Sequence, residues 1–498
     1  MSRICLVLTG ESLLENAKFI KNSIDCIDMV ELRADYLLPE ERASVSGFTK
    51  TAGLPVLLTA NPLSQGGLFE GGEDEREAFL LGAVEGAAAG GKPFAFVDVN
   101  AGSKMDSLEA AAAAAGTRIV RSFHDFNGTP ENLAQKMRSF IKRSDEIAKA
   151  AVRPKNLDDV ALLIEEARNF NECEKVFISM GRQGICTRIL AEQIGSAWTF
   201  ACAQTPNGVL ASAAGQISPE ELCSFYRFRS INKDTAVYGI LGWPLEASSS
   251  PEIFNGAFSH TNRNAVYIAF PSENADAFMR LAEVINLQGA AVTVPHKKAV
   301  ISGLAQASEG VKNIGACNTI VRNEDGWRGY NTDAKGFSDS LLEWMGRKDL
   351  RGVKTVLIGA GGAANAAAFE LSRLGAGVLI VNRTLETAQK LADAYVFKSA
   401  SLKERDVSLK IAQYSDLIIN TTSVGMEPRI ENDPLEMYQF NGSEKVMDVI
   451  YKPAQTRFLR RAAKAGCLTL NGRDMLERQA HLQYLRYFNE PYPFPLKS

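Results

Sequence analysis

The stretch VKTVLIGAGGAANAAAFELSRLGAGVLIVNRT, from Val353 to Thr384, admits very few folds. Its apolar run Val356, Leu357 and Ile358 suits a strand buried on both faces. The Ala-rich segment that follows suits a helix packed on that strand, and Val378 to Val381 supplies a second, parallel strand. Between the first strand and the helix, Gly359, Gly361 and Ala364 fall on a G-x-G-x-x-A spacing. Such a turn lets the backbone reverse tightly, brings a pyrophosphate to the free N–H groups of the helix N-terminus, and allows helix and strand to pack closely. A glycine fingerprint alone is weak, but in a strand-turn-helix-strand context it predicts a dinucleotide-binding unit. An NAD-binding unit would end its second strand in an Asp or Glu for the ribose hydroxyls, whereas this one ends in Asn382, Arg383 and Thr384. A guanidinium there favours an additional phosphate, so NADP is expected in preference to NAD.

A chain of 498 residues exceeds what one core usually organises, and two or three domains are expected. The net charge of −3 and the lack of a long basic run point away from nucleic acid and from anionic membranes, leaving small molecules as partners. The eight Cys include no C-x-x-C pair, and several sit in apolar runs, as Cys5 and Cys202 do; this is the usage of a reducing cytoplasm, and no metal site is expected. The first short apolar run gives way to Thr9, Gly10 and Glu11, unlike a signal peptide, and no stretch is long and apolar enough to span a bilayer. The expectation is a soluble cytoplasmic protein.

Up to about residue 226, short β-type runs alternate with helical or Ala-rich segments. The runs are Ile4 to Leu8, Asp28 to Arg33, Pro55 to Thr59, Phe94 to Val99, Arg118 to His124, Glu146 to Val152, Lys175 to Met180 and Trp198 to Ala203. Eight such repeats suggest a (β/α)8 TIM barrel, whose reacting groups belong at the C-terminal ends of the strands. Chemically useful residues do gather there: Glu31 and Arg33 end the second run, His124 ends the fifth and Lys149 lies within the sixth. Arg188 follows the seventh, and Ser212 and Gln216 follow the eighth. A Lys among Ile147, Ala148, Ala150 and Ala151 is expected to be partly desolvated, which lowers its pKa and frees a neutral amine to attack a ketone. An isolated Lys more often snorkels out of a barrel rim. One of only four His in the chain ends the adjacent run, however, and a His beside a Schiff base is suited to moving protons.

The segments VELRAD at Val30, SFHDFNGTP at Ser122, DEIAKAA at Asp145, SMGRQGICTRIL at Ser179 and ASAAGQIS at Ala211 make residues 1 to about 226 resemble type I 3-dehydroquinate dehydratase. The resemblance implies that Lys149 forms an iminium with the substrate ketone and that His124 removes the adjacent proton and assists loss of hydroxide as water. It further implies that Arg188 holds the substrate carboxylate, and that Glu31, Arg33, Ser212 and Gln216 bind hydroxyls or orient the His. The family pattern T-x-R-x-x-x-E after the third strand is replaced here by TANPLSQGG, with Asn61 and Gln65 in place of the Arg and the acid. One charge pair is gone, and both members are neutral amides.

A last barrel helix is expected over Glu220 to Phe228, and a fresh strand at Ala236 sets a boundary near residue 232. Three polar clusters follow. Ser248, Ser249 and Ser250 precede Pro251 and a helix, where a Ser run most often caps; VTVPHK ends in Lys297; GACNTIV and GYNTDAKG carry Asn318 and Asp333. If the strands bearing Lys297 and Asp333 are neighbours, the two form a cation–carboxylate pair available to a substrate hydroxyl.

With the NRT segment, these clusters resemble shikimate dehydrogenase across residues 235 to 498. The resemblance implies a two-lobed unit: an α/β substrate domain at 232–335 plus 459–498 and a Rossmann NADP-binding domain at 336–458, after a barrel at 1–231. Lys297 and Asp333 align with the catalytic pair and Ser248 and Ser250 with the carboxylate grip. Thr293 and Asn318 align with ring-hydroxyl contacts, and Tyr451 and Gln479 with further substrate positions. NADP is implied at Gly359, Gly361, Gly362 and Ala363 of the GAGGA turn and at Asn382, Arg383 and Thr384, with NTTSVGM from Asn420 on the nicotinamide side. H-S-x-S-P and N-V-T-V-P of the family are altered here at Ala247 and Ala291, outside the proton-transfer pair. The combined expectation is a bifunctional enzyme that dehydrates 3-dehydroquinate to 3-dehydroshikimate and reduces this to shikimate with NADPH. The alternatives are a shikimate dehydrogenase with a non-catalytic barrel, and a quinate dehydrogenase.

Overall fold

The computed structural model describes residues 1–205, 208–210, 215–245 and 248–495, with the backbone alone at 205 and 208–210. The chain divides into two compact units, Met1–Gly239 with Pro244–Leu287, and Ile240–Trp243 with Gln288–Ser498. No helix among the described residues is long and apolar enough to cross a membrane.

In the first unit the eight apolar runs become strands β1 (Arg3–Leu8), β2 (Met29–Arg33), β3 (Val56–Thr59), β4 (Phe96–Asn100), β5 (Arg118–Asp125), β6 (Ile147–Val152), β7 (Glu174–Ser179) and β8 (Trp198–Thr205). All pair in parallel, in the order β7-β6-β5-β4-β3-β2-β1-β8, and β8 turns back as a hairpin with β9 (Gly208–Leu210). The two ends approach each other where Ala197 N–H donates to Lys175 O at 2.7 Å, making a near-closed barrel. The two-residue period of a strand sorts the interior into layers. Cys5, Met29, Leu57, Phe96, Val120, Ile147, Val176 and Trp198 fill one apolar layer. Two residues further along β2 to β6, toward the C-terminal ends, the same faces carry Glu31, Thr59, Asp98, Ser122 and Lys149, all buried. The polar layer is thus set by sequence parity above a sealed apolar floor.

The expected helix over Glu220 to Phe228 is instead a short π-helical turn, Glu221–Phe225, followed by Arg227 in the left-handed region at φ 53°. The linker beyond it is pinned by hydrogen bonds: Gln193 Nε2 donates to Asn232 O and Thr235 O at 3.1 and 2.7 Å, and Thr235 Oγ1 to Asn264 Oδ1 at 2.6 Å.

A second sheet comprises β10 (Ala236–Gly242), β11 (Ala265–Pro271), β12 (Leu287–Val292), β13 (Gln306–Ala307), β14 (Thr319–Asn323) and β15 (Gly326–Tyr330), in the order β11-β10-β12-β14-β15-β13. β12, β14 and β15 run antiparallel to their neighbours in succession, and β13 pairs in parallel with β15. The third sheet comprises β16 (Lys354–Ile358), β17 (Gly377–Asn382), β18 (Lys398–Ser401), β19 (Leu417–Asn420), β20 (Lys445–Asp448) and β21 (Leu468–Leu470). Its order is β18-β17-β16-β19-β20-β21 and every pair is parallel. Leu357 faces a core with Ala364, Ala367 and Ala368 of the helix Gly362–Arg373, while Val356 and Ile358 face a second core with Phe458 and Leu459. That two-sided burial is why the run contains no polar residue. The strand order reverses beside β16, so a crevice opens at its C-terminal end, where the glycine turn stands.

Candidate active sites

Glu31, Arg33, His124, Lys149, Arg188 and Gln216 line one cavity of about 310 Å³ in the barrel, together with Asn61 and Gln65. Ser212 lies outside the described residues. Lys149, midway along β6, is buried with its Nζ 3.0 Å from Asp98 Oδ2 and 3.2 Å from Glu31 Oε1. Burial pushes its pKa down, as the sequence suggests, but the two carboxylates outweigh burial and hold the amine above its ordinary value. The expectation of a lowered pKa is therefore corrected: the amine is charged here, with proton acceptors already in contact.

The sequence alone does not single out Asp98. It sits within F-V-D-V-N, where a carboxylate flanked by valines on an inward parity is the only signal. Ser122 Oγ donates to its Oδ1 at 2.5 Å, and Thr59 Oγ1 donates to Glu31 Oε1 at 2.9 Å, so both carboxylates are aimed by hydroxyls from neighbouring strands.

His124 is held neutral. Burial first, then the Lys149 and Arg33 charges, pull its pKa down to about 3, against a weaker opposing pull from Glu31. Its Nδ1 lies 3.2 Å from Gln65 Oε1. Arg33 is neutralised by Asp35 through paired bonds of 2.9 and 2.7 Å. Arg188 is the opposite case: 2% exposed, it has no carboxylate partner among the described residues. Nη1 donates to Phe200 O at 3.3 Å and Nε has no partner. Burial pulls this guanidinium down to about 10. A buried cation without a counter-ion on a cavity wall is a site for an anion.

In the second unit, Lys297 Nζ and Asp333 Oδ2 meet at 2.6 Å. Lys297 follows β12, and its carbonyl accepts from Cys317 N–H at 2.7 Å, tying it to the chain ahead of β14. Asp333 lies in the first turn of the helix Thr332–Met345, capped by Asn331. Asn318 Nδ2 donates to Asp333 Oδ1 at 2.8 Å and to Thr332 Oγ1 at 2.9 Å, and Gln479 Oε1 lies 3.5 Å from the same nitrogen. Gln479 reaches in because Gly336 lets the helix Arg473–Phe488 approach closely; a Cβ there would stand 3.0 Å from Gln479 N. Lys297, Asn318, Asp333 and Gln479 therefore converge. Thr293 precedes them at the strand end, donating N–H to Leu241 O at 2.8 Å, and Tyr451 is half-buried in the loop after β20. Ser248 and Ser250 stand at the start of the helix Ser250–His260 in the first unit, where Ser250 N–H donates to Ser248 Oγ at 3.3 Å.

The glycine turn has the form a dinucleotide needs. Gly359 has φ 110°, and a Cβ there would lie 2.9 Å from Thr421 Oγ1 and Thr422 Cγ2. Gly361 caps the helix Gly362–Arg373 with no side chain on its N–H groups. Ala363 stands in that first turn. Lys297 Cδ comes within 3.8 Å of where a Cβ on Gly362 would be, so the Lys–Asp pair abuts the turn. Arg383 is exposed beyond β17 and makes no ion pair among the described residues, while Asn382 Nδ2 shapes that corner by donating to Thr384 O at 3.0 Å and Thr387 Oγ1 at 2.6 Å. A further buried acid went unread in the sequence: Asp448, at the end of β20, accepts from Asn420 Nδ2, Ile450 N–H and Thr456 Oγ1 at 3.0, 3.0 and 2.8 Å. Burial raises its pKa to about 7.

Residues 4–233 match the family described as Type I 3-dehydroquinase. Residues 240–320 match the Shikimate dehydrogenase substrate binding domain, and 343–450 match Shikimate / quinate 5-dehydrogenase. The chain is 31% identical over 482 residues to the chloroplastic bifunctional 3-dehydroquinate dehydratase/shikimate dehydrogenase of Arabidopsis thaliana, covering 94% of this chain and 78% of that protein. It is 38% identical over 266 residues to the shikimate dehydrogenase (NADP(+)) of Caldanaerobacter subterraneus subsp. tengcongensis, covering 52% of this chain and 94% of that one. The shikimate dehydrogenase (NADP(+)) of Moorella thermoacetica is likewise 38% identical, over 260 residues, covering 49% and 85%. With both halves matched and one relative aligned across 94% of this chain and 78% of its own length, the chain belongs to the family of bifunctional 3-dehydroquinate dehydratase/shikimate dehydrogenases.

Proposed function

We propose that this protein dehydrates 3-dehydroquinate to 3-dehydroshikimate in a (β/α)8 barrel over 1–231, then reduces that product to shikimate with NADPH. The second reaction belongs to a substrate domain, 232–335 with 459–498, and a Rossmann domain, 336–458. The observation that carries the reading is the buried Lys149 amine between Asp98 and Glu31, in one cavity with a neutral His124 and an Arg188 that has no carboxylate partner among the described residues.

Arg188 takes the substrate carboxylate. Asp98 or Glu31 accepts the proton that Lys149 must lose before its nitrogen attacks the ketone, and expulsion of the carbonyl oxygen as water leaves an iminium. His124 removes the proton from the adjacent carbon, the electrons moving toward the iminium, and returns it to the departing hydroxide, which leaves as water. Hydrolysis of the iminium frees the product and restores the amine. The two carboxylates beside Lys149, the hydroxyls that aim them and a buried cation with no carboxylate partner among the described residues favour an active site here over an inert scaffold.

In the second reaction the Gly359–Ala363 turn and Arg383 fit the pyrophosphate and the extra phosphate of NADP, in keeping with the shikimate dehydrogenase (NADP(+)) relatives. Bound there, the cofactor supplies a hydride to the ketone carbon. Lys297, with Asp333, delivers the proton to the ketone oxygen, and Asn318 and Gln479 hold the pair while contacting the ring hydroxyls with Thr293 and Tyr451. Ser248 and Ser250 bind the carboxylate.

The test is borohydride reduction of the full chain in the presence of 3-dehydroquinate, followed by peptide mass mapping. The adduct is expected on the Lys149 peptide, and Lys149→Ala should lose dehydration while retaining shikimate oxidation. An adduct on another Lys, or dehydration surviving in that variant, would refute the proposal for the barrel.

A further inference from the structure

Five of the eight cysteines, Cys5, Cys186, Cys202, Cys317 and Cys467, are buried, while Cys26, Cys173 and Cys223 are half-buried; all eight are free thiols. Two of the three accessible ones touch. Cys26 closes the 3-10 turn Ile24–Cys26 ahead of β2, and Cys223 stands in the π turn Glu221–Phe225 after β8, 197 residues further along the chain. The Cys223 thiol donates to Cys26 O at 3.6 Å, and the two thiols lie within hydrogen-bonding reach of each other. Cys173 stands apart from them, among Glu146, Glu172 and Arg118.

Two further ties hold the same turns together on either side of the thiols. Three residues before each cysteine, Ser23 Oγ donates to Glu220 Oε1 at 2.7 Å. Beyond them, Arg229 Nη1 donates to Asp28 Oδ1 and Oδ2 at 3.0 and 3.2 Å, and Asp28 Oδ2 also accepts from Ile4 N–H at 2.8 Å, which anchors this tie to β1. The turns are thereby fixed against one another, and joining their thiols becomes an intramolecular step that needs only rotation of the two side chains to the roughly 2.05 Å of an S–S bond. Burial, then the neighbouring Cys26, pushes the Cys223 thiol up to about 11, and the Arg229 guanidinium beside it pulls the other way. The thiolate is the reacting form, so the pair rests reduced near neutral pH and reacts more readily as pH rises.

We propose that Cys26 and Cys223 are an oxidation site, forming a reversible disulfide that clasps the turn before β2 to the turn after β8 when the protein meets a peroxide. One sulfur attacks the O–O bond of hydrogen peroxide, giving a sulfenic acid and releasing the other oxygen as water. The second sulfur then displaces the sulfenic oxygen, which leaves as a second water while the S–S bond forms. Two thiols lose two electrons and two protons, one peroxide becomes two waters, and a dithiol reductant restores the pair. Neither cysteine lines the barrel cavity, and the bond joins segments already in contact, so the clasp stiffens the barrel without reaching into the site.

The experiment treats the full chain with hydrogen peroxide at neutral and mildly alkaline pH, alkylates the remaining thiols under denaturing conditions and maps the digest by mass spectrometry, with and without a dithiol reductant. The expected product is one cross-linked pair, the Cys26 peptide joined to the Cys223 peptide and lighter than their sum by two hydrogen atoms, formed faster at the higher pH and released by the reductant. The thermal midpoint of the oxidised chain should stand about 5 °C or more above that of the reduced chain. Cys26→Ser and Cys223→Ser should each abolish the crosslink and the rise while retaining shikimate oxidation. Both peptides alkylated in the peroxide-treated wild type, a crosslink to Cys173 or between two chains in their place, or a crosslink with no rise in the midpoint would each overturn the proposal. The wild-type map decides this even where a variant fails to fold.

Discussion

Replacing Arg188 with Met should weaken the enzyme and strengthen the fold. The wild-type guanidinium is buried with no carboxylate partner among the described residues, and burial pulls it from 12.5 to about 10. At about 1.4 kcal/mol per tenfold, that is a penalty of about 3 kcal/mol carried by the folded, ligand-free barrel. Met keeps most of the aliphatic stem and removes the charge; it forfeits the hydrogen bond from Nη1 to Phe200 O, about 1 kcal/mol, and the space it vacates opens on the cavity that Arg188 already lines. The barrel transition should then shift upward by about 2 kcal/mol, or about 4–8 °C at the 2–4 °C per kcal/mol usual for a domain of this size. Dehydration should suffer in the opposite sense. A charge-assisted bond to the substrate carboxylate contributes about 1.5–3 kcal/mol, so kcat/KM should fall about ten- to hundredfold, mainly through KM. Calorimetry of the full chain and steady-state assays on 3-dehydroquinate report both sides. A lower thermal midpoint together with an unchanged KM would refute the reasoning, for it would make Arg188 a structural cation.

Arg383→Ala should cost about ten- to hundredfold in kcat/KM with NADPH and leave NADH nearly unaffected, since only the former offers a phosphate for the guanidinium; equal losses with both would make Arg383 a shaper of the fold. Asp448→Asn should flatten the pH dependence of stability. The folded carboxyl keeps its proton up to about 7 against an ordinary 3.8, so its contribution is complete below about pH 4 and is lost as pH rises toward 7. Thermal midpoints of the second unit at several pH values between 4 and 8 should decline in the wild type and stay level in the variant, and parallel slopes would contradict this assignment.

The barrel strands were legible because parallel strands covered on both sides must be apolar runs, and the chemistry at their C-terminal ends was legible because polar residues there have no packing reason to exist. What escaped depends on partners distant in the chain. Lys149 reads as a desolvated amine among alanines, yet its charge is decided by Glu31 and Asp98, 118 and 51 residues away. Asn61 reads as a loss, because the hydrogen bonds from Arg76 Nη1 to Asn100 Oδ1 and from Asn100 Nδ2 to Asn61 Oδ1 exist only once the helix Glu73–Ala89 and the strand ends are folded together. The segment 220–228 has helical composition, and nothing in it announces the wider π turn that ends at a left-handed Arg227. In the second unit the pairing of Lys297 with Asp333 follows from two strand ends, whereas Asp448 gives no sign because its partners arrive from the end of β19 and from the N-cap of the helix Arg457–Lys464.

The apolar layer beneath Lys149 makes the barrel a cup and not a pipe. Trp198 and Phe96 meet across its base with ring planes tilted by 46° and centroids 5.4 Å apart, and Arg3 lies over both rings. With that floor closed among the described residues, substrate, product and released water exchange on the side of the C-terminal rim, where the cavity residues stand. Turnover in the proposed reaction becomes a queue: a product that lingers excludes the next substrate, so its inhibition is competitive, and slow emptying of the cup would limit the first reaction.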